Sequence, residues 1–484
     1  MTLSARRTVE TDALERLDHM PWTRFHTTLT VALGVGWALD SFETNIIGSV
    51  FGVLKKQWGL TAAQGSLAVS IWVIGMLIGA IGFGYLADRF GRKRLFLATL
   101  LWYALFATGT AFAWSYESFL FFRFMTALAV GGEYSAVTAT MGEFFPKAHR
   151  GRTDALILSG FPVGALASAG VSWLLLQWLP PEIGWRVGFG LGATLALFFL
   201  WVRRAIPESP RWLLQQGRVA EVETIVRNIA ATAKGDAAIA ANLRFVPSRH
   251  HVHAPSFLAN IGQLCTTYRE RCALMSALNF AQAAVVYGAL ALMALVILPE
   301  MNVPAADLPL YYFWGNIAAL CGGLAGAHTV EAWGRRHALV VSYSLTLLAI
   351  VPLYALQTLP GMVASYCLMQ FGVTWAYITA YVVAAEILPT PVRATGLGVS
   401  VAVGRVGAML APPLLTLAYQ SSGTPAGALG VLLLLALPGP IAAIIWARRG
   451  IETRNISLEA GSDSATEVLR VVSRRGTART AELR

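Results

Sequence analysis

Five ionisable side chains fall deep inside long apolar stretches of this 484-residue chain: Asp40, Glu43, Arg123, Glu133 and Arg405. An ion at the centre of a helix in hydrocarbon costs at least ~2.5–3.5 kcal/mol, so such a group marks a functional task by default. Acids facing an arginine can load and release a proton. A carboxylate beside Arg⁺ holds its charge; opened to dry surroundings without a partner, it takes up a proton. All the deep acids lie in the first half. Those of the second half, such as Glu331 and Glu386, sit at helix ends or in loops. Proton handling is therefore expected in the first half.

Helical rise places these groups in depth. At ~1.5 Å per residue, Glu43 lies about 25 Å along the first span, and Arg123 about 9 Å along the fourth from the opposite side. In a layer roughly 30–40 Å thick the two depths nearly coincide. Asp40, about 5 Å lower on the same helix face, is nearer the level of Glu133. Glu43 and Arg123 are thus expected to pair, with Asp40 and Glu133 as a second acidic level. A change of surroundings that separates the two would switch Glu43 between paired and unpaired states, its protonation releasing Arg123. A permanent ion pair that only fixes two helices is the competing reading.

Arg405 lies ~15 Å into the eleventh span, near mid-bilayer. No acid of the second half reaches that depth. A cation there suits an anionic substrate, such as a carboxylate held by two donors. Pairing with Asp40 or Glu133, or solvation by cavity water, stays open. Asn279, Gln282 and Tyr287 of the seventh span, and Tyr377 and Tyr381 of the tenth, are the other candidate substrate contacts. Trp375 can add to an aromatic wall, although packing explains each ring taken alone.

The elements that must position these groups are long helices. Hydrophobic residues make up 56% and charged residues 13%, with mean hydropathy +0.58; a soluble domain carries roughly a quarter charged residues. Apolar segments fall at 26–50, 64–84, 95–114, 118–144, 153–179, 185–205, 272–298, 307–330, 338–358, 360–387, 395–420 and 426–447. They are too long for barrel strands and lack period-2 alternation. Of 37 Lys and Arg, only Lys55, Lys56 and Arg186 fall in loops on the odd side, so both termini are expected in the cytoplasm. The net charge of +11 expresses this sidedness and points to anionic lipid, not nucleic acid.

The expected organisation is a tail (1–25), a six-helix bundle (26–205), a cytoplasmic linker with short helices (206–271), a second six-helix bundle (272–447) and a disordered tail (448–484). In the linker Val219, Val222, Ile225, Val226 and Ile229 recur at helical spacing. His250, His251 and His253 have no Cys or carboxylate beside them and read as a solvated loop. The four cysteines lack metal spacing and are expected as free thiols. Residues 1–24 are polar and mixed in charge, so no cleaved signal is expected.

Local motifs give a resemblance. Gly84-Tyr-Leu-Ala-Asp88-Arg89-Phe-Gly91-Arg92-Lys93 lies between two apolar runs, and part of it recurs as Glu331-Ala-Trp-Gly334-Arg335-Arg336. This resembles the loop signature that the major facilitator superfamily carries once per half. Pro207-Glu208-Ser209-Pro210-Arg211 is similar to the stretch after the sixth helix of sugar porters. With Asp40-Ser-Phe-Glu43, Arg123, Glu143 to Arg152, Glu386 to Arg393 and Gly404-Arg405-Val-Gly407, the chain looks like metabolite:proton symporters near the niacin-type, aromatic-acid and sugar-porter families. It departs from sugar porters at the seventh helix, where Asn279-Phe-Ala-Gln282 replaces paired glutamines. It departs again at Tyr381, where they carry Trp.

The resemblance implies an all-α membrane protein: twelve transmembrane helices in two pseudo-symmetric six-helix bundles. It implies proton coupling at Glu43 and Arg123, and gates built from Asp88, Arg89, Arg92 and Glu143, mirrored by Glu331, Arg335, Glu386 and Arg393. The leading reading is a monomeric, proton-driven importer of a small organic anion, an aromatic or heterocyclic carboxylate, in a bacterial inner membrane. A sugar or polyol symporter, a proton-coupled exporter and a non-transporting sensor on the same fold are the alternatives. No nucleotide loop, metal set or nucleophile constellation argues for an enzyme or a cofactor.

Overall fold

The computed structural model describes residues 8–146, 149, 153, 156–203, 206–233, 248–251, 257–356, 358–388 and 390–450. The chain after 450, His253, and the side chains of Asp88, Glu143, Glu331 and Arg393 lie outside the described residues, as do the side chains of His250 and His251. The protein is an assembly of long helices. In the first half these are α2 (Arg24–Trp58), α3 (Ala62–Phe90), α4 (Arg92–Ala111), α5 (Tyr116–Phe144), α6 (Gly160–Trp178) and α7 (Pro181–Arg203). Short helices α8 (Pro210–Gln215) and α9 (Val219–Ala230) follow, then α10 (Phe257–Thr266). The second half holds α11 (Arg269–Leu292), which continues through a π-helical turn at Met293–Ile297 into α12 (Leu298–Glu300). After these come α13 (Leu308–Ala332), α14 (Arg335–Leu348) with α15 (Ile350–Ala355), α16 (Leu359–Ile387), α17 (Thr390–Ser422), and α18 (Pro425–Ala436) with α19 (Pro438–Arg449).

Among the described residues, 8 helices are long and apolar enough to cross a membrane by length and composition. α2, α5, α7 and α13 are long helices outside that set.

Contacts divide the chain into two units: residues 1–254 with 291–317, and residues 255–290 with 318–484. In the first unit, α3 and α5 approach backbone to backbone. A Cβ added at Gly79 would collide with the Leu128 carbonyl, and one at Gly131 with that of Met76. α6 meets α2 in the same way, Gly164 lying on the Ala38 carbonyl. Such small-residue seams replace the hydrophobic effect as the reason for helices to associate in lipid. Segment 291–317 belongs to this unit because Gly52 accommodates Ala305 and Leu308, Gly65 faces Leu295, and Asn316 donates to the Ala165 carbonyl at 3.0 Å.

The amino-terminal segment is not a bare tail. Strand β1 (Thr8–Thr11) pairs antiparallel with β2 (Ser248–His251), a small ribbon beside the helices. Helix α1 (Ala13–Asp18) lies on α9: Arg16, 9% exposed, pairs with Asp12 at 3.0 Å and with Glu223, to which Thr11 also donates. The amphipathic pattern in α9 explains the rest, since Val222, Val226 and Ile229 form its buried face.

In the second unit, Tyr343 of α14 donates to the Leu278 carbonyl at 3.0 Å, and Gly439 of α19 packs on the Tyr343 ring. A core of Met275, Leu278, Leu339, Tyr343, Val383, Ile387 and Trp446 runs between these helices.

Candidate functional site

Glu43 and Arg123 meet in the first unit. Arg123 Nη1 donates to Glu43 Oε1 at 2.5 Å, and Nη2 to the Glu43 backbone carbonyl at 3.1 Å. Glu43 is 0% and Arg123 1% exposed. The helix α2 has room for them because α7 presents Gly192, where a Cβ would lie 3.0 Å from Glu43 Oε2. The Tyr103 hydroxyl of α4 donates to the same oxygen at 3.4 Å. Asp40 and Glu133 are buried too, 7% and 2% exposed. The four deep ions of the first half are thus all buried, and two of them pair beside Tyr103.

Sequence reasoning missed the rings of this site. Trp72 of α3 lies 3.7 Å below the Arg123 guanidinium carbon, and Phe189 of α7 5.2 Å from it. Helical spacing could not find them, because they come from other helices. A buried pair loses hydration on both ions, so it persists only with good geometry and further partners. Here a carbonyl, a phenol and two π-faces supply them.

In the second unit Arg405 Nη1 donates to the Tyr287 hydroxyl at 3.2 Å. Two glycines bring α17 against α11 for this contact: Gly404 lies on the Asn279 carbonyl and Gly407 on that of Phe280. Asn279 is engaged in that seam, donating to the Met275 carbonyl at 3.1 Å and to Ser400 at 3.4 Å. Gln282 is half-buried on α11. Tyr377 and Tyr381 are half-buried one turn apart on α16, ring centroids 6.4 Å apart. Trp375 is core: it is 5% exposed, donates to Thr329 Oγ1 at 2.8 Å and packs on Trp333 and Phe371.

The loop residues divide. Arg335 grips Glu386 through Nε to Oε2 at 3.1 Å and Nη2 to Oε1 at 2.9 Å. Arg89 is exposed and stacks on the neighbouring Phe90. Arg92 opens α4, and its backbone N–H donates to Glu208 Oε1 at 2.9 Å; the N–H of Lys93 reaches the same oxygen at 3.0 Å. An anion at a helix amino terminus is favoured by the unpaired N–H groups and the dipole. Glu208 is thus a partner of the first-half loop that the gate residues alone did not include. Its signal was the Pro-Glu-Ser-Pro motif. As to Asp88, Glu143, Glu331 and Arg393, their side chains lie outside the described residues.

Residues 36–461 match the family model described as "Sugar (and other) transporter". The niacin transporter NiaP of Acinetobacter baylyi is 30% identical over 405 residues, covering 84% of this chain and 90% of that protein. A probable 4-methylmuconolactone transporter of Cupriavidus pinatubonensis is 28% identical, covering 76% and 78%. Among solved structures, the xylose transporter XylE from E. coli in a partially occluded inward open conformation aligns with TM-score 0.70 at 19% identity, over 90% of this chain and 99% of that one. XylE as a proton:xylose symporter bound to a bromo-deoxyglucose aligns with TM-score 0.69 at 18% identity, over 91% and 98%.

Proposed function

The chain belongs to the sugar (and other) transporter family of the major facilitator superfamily, and from that premise we propose that it is a proton-coupled importer of a small organic anion, an aromatic or heterocyclic carboxylate. The observation that carries the coupling is the Glu43–Arg123 pair, closed off from solvent. A carboxylate so placed is ionised while the arginine faces it and takes a proton when that contact is broken. Alternating access can break and remake it once per cycle. Asp40 and Glu133 are the second acidic level, placed to pass the proton onward.

The anion reading rests on Arg405. Its guanidinium stands beside Tyr287, and the pair offers a charged fork and a hydroxyl to a carboxylate. Niacin, named for one relative, carries a carboxylate on an aromatic heterocycle. Tyr377 and Tyr381 supply π-surface of the right kind for such a ring. The gates proposed at the loops are Arg335 with Glu386 in the second half and, in the first half, Asp88, Arg89, Arg92 and Glu143. Glu331 and Arg393 complete the second set. The protein is proposed to work as a monomer in a bacterial inner membrane, with both termini in the cytoplasm.

The test is uptake by proteoliposomes across a panel of labelled aromatic carboxylates, their amides, and sugars. Accumulation of a carboxylate driven by an acid-outside gradient, and abolished by a protonophore, is the expected result. Accumulation of a sugar or polyol in its place moves that reading to first position. Uptake indifferent to the gradient overturns the coupling.

A further inference from the structure

Arg123 has two kinds of partner. One is charged: the Glu43 carboxylate at 2.5 Å. The other is independent of that charge. The Trp72 ring lies 3.7 Å from the guanidinium carbon, the Phe189 ring 5.2 Å away, and the Glu43 backbone carbonyl accepts from Nη2 at 3.1 Å. Trp72 is 1% exposed and Phe189 0%. Arginine keeps its charge in a protein, so neutralising Glu43 leaves a buried cation that needs a partner. A desolvated cation–π contact is among the strongest neutral substitutes for a carboxylate. The Glu43 side chain is held differently. Its contacts are the arginine and a 3.4 Å bond from Tyr103, and beside it α7 offers only the bare backbone of Gly192.

We propose that Trp72, backed by Phe189, holds the Arg123 guanidinium in place while Glu43 is neutral, so that proton loading frees the Glu43 side chain and not the arginine. Trp72 is then a positioning residue: it touches neither proton nor substrate, and it keeps the cation where the returning carboxylate must find it. Of the charged and titratable groups, Tyr103 on α4 touches the pair; Asp40 on α2 and Glu133 on α5 are buried on the pair's own helices, and α3 and α7 contribute rings and a glycine. Asp40 and Glu133 are the competing destinations for a released arginine. The proposal rests on the reading of Glu43 as the coupling acid, but its test does not need transport.

The test is a double-mutant cycle on the purified full-length protein, with Glu43→Gln standing for the protonated state. Two quantities are read: the thermal unfolding temperature, and the rate at which phenylglyoxal modifies Arg123, followed by peptide mass spectrometry. Glu43→Gln and Trp72→Leu are each expected to leave Arg123 largely protected. Together they should expose it, with modification about thirtyfold faster than in Glu43→Gln, as loss of a buried cation–π contact implies. The unfolding temperature should fall by more than the sum of the single losses. Glu43→Gln/Trp72→Phe, which keeps a ring face, should recover most of the protection.

Exposure of Arg123 by Glu43→Gln alone overturns the proposal, since the ring then does not hold the cation. Additive losses with Arg123 still protected in the double variant overturn it as well, and assign the arginine to Asp40 or Glu133. If Trp72→Leu does not fold, Trp72→Met, closer in volume, replaces it. Failure of both means that the ring is required beside a charged Glu43 too, and the division between carboxylate and ring is wrong. Proton-driven accumulation by Glu43→Gln would instead sink Glu43 as the coupling acid, while the protection of Arg123 by Trp72 would stand or fall on the modification rates alone.

Discussion

Glu43 and Arg123 are eighty residues apart in sequence and 2.5 Å apart in the fold, with their side chains 0% and 2% exposed. Their closeness ties the charge of one helix to that of another without water between them. Removing one partner of such a pair typically costs roughly 3–5 kcal/mol, because the other is left buried and charged.

Glu43→Gln removes the titrating group and keeps the shape. Accumulation against a gradient should fall to simple equilibration, while exchange of labelled for unlabelled substrate persists. Proteoliposome uptake and counterflow measure the two separately. Concentration of substrate by this variant would pass the coupling role to Asp40.

Arg405→Lys keeps the charge and loses the planar fork. A charge-assisted hydrogen bond is worth about 1.5–3 kcal/mol, so carboxylate affinity should fall about tenfold to over a hundredfold in Arg405→Ala. Arg405→Lys should also bind poorly. A neutral amide analogue should bind the parent weakly and lose little more on substitution. Calorimetric titration of both ligands decides; equal binding of carboxylate and amide by parent and Arg405→Ala would return Arg405 to a structural role beside Tyr287.

Arg335 and Glu386 form a two-donor pair, side chains 8% and 20% exposed. Glu386→Ala removes both carboxylate acceptors from Arg335, which keeps the Val330 carbonyl among its partners, and should destabilise by about 2–3 kcal/mol, less than a fully buried pair because Glu386 is partly hydrated. Arg335→Lys, which keeps the charge and loses the two-donor fork, should lose part of the pair's contribution. Thermal unfolding of the purified variants is the measurement, and a shift within error for Glu386→Ala would make the pair incidental.

Arg16 joins Asp12 to Glu223 and so ties the amino-terminal segment to α9. Arg16→Ala should free that segment without unfolding the helices. Limited proteolysis should then clip the first twenty or so residues faster by about tenfold, in keeping with ~1–1.5 kcal/mol for one half-buried contact, at an unchanged global unfolding temperature. Resistance equal to the parent's would mean that β1 pairing alone holds the segment.

The sequence by itself determined the long helices, their order, and the ions they carry, because helical rise and the cost of charge in hydrocarbon are local properties. The same arithmetic brought Glu43 and Arg123 to one level. The tertiary structure alone decided what surrounds them. Trp72, Tyr103 and Phe189 come from three other helices, and which face each turns inward depends on backbone seams such as Gly79 on Leu128 and Gly164 on Ala38. It decided that Trp375 packs in the core while Tyr287 reaches Arg405, since one apolar stripe looks the same in sequence whether it meets a helix or a cavity. It also docked residues 8–20, whose polar composition reads as a tail, through an ion cluster that closes only when α9 is folded beside them.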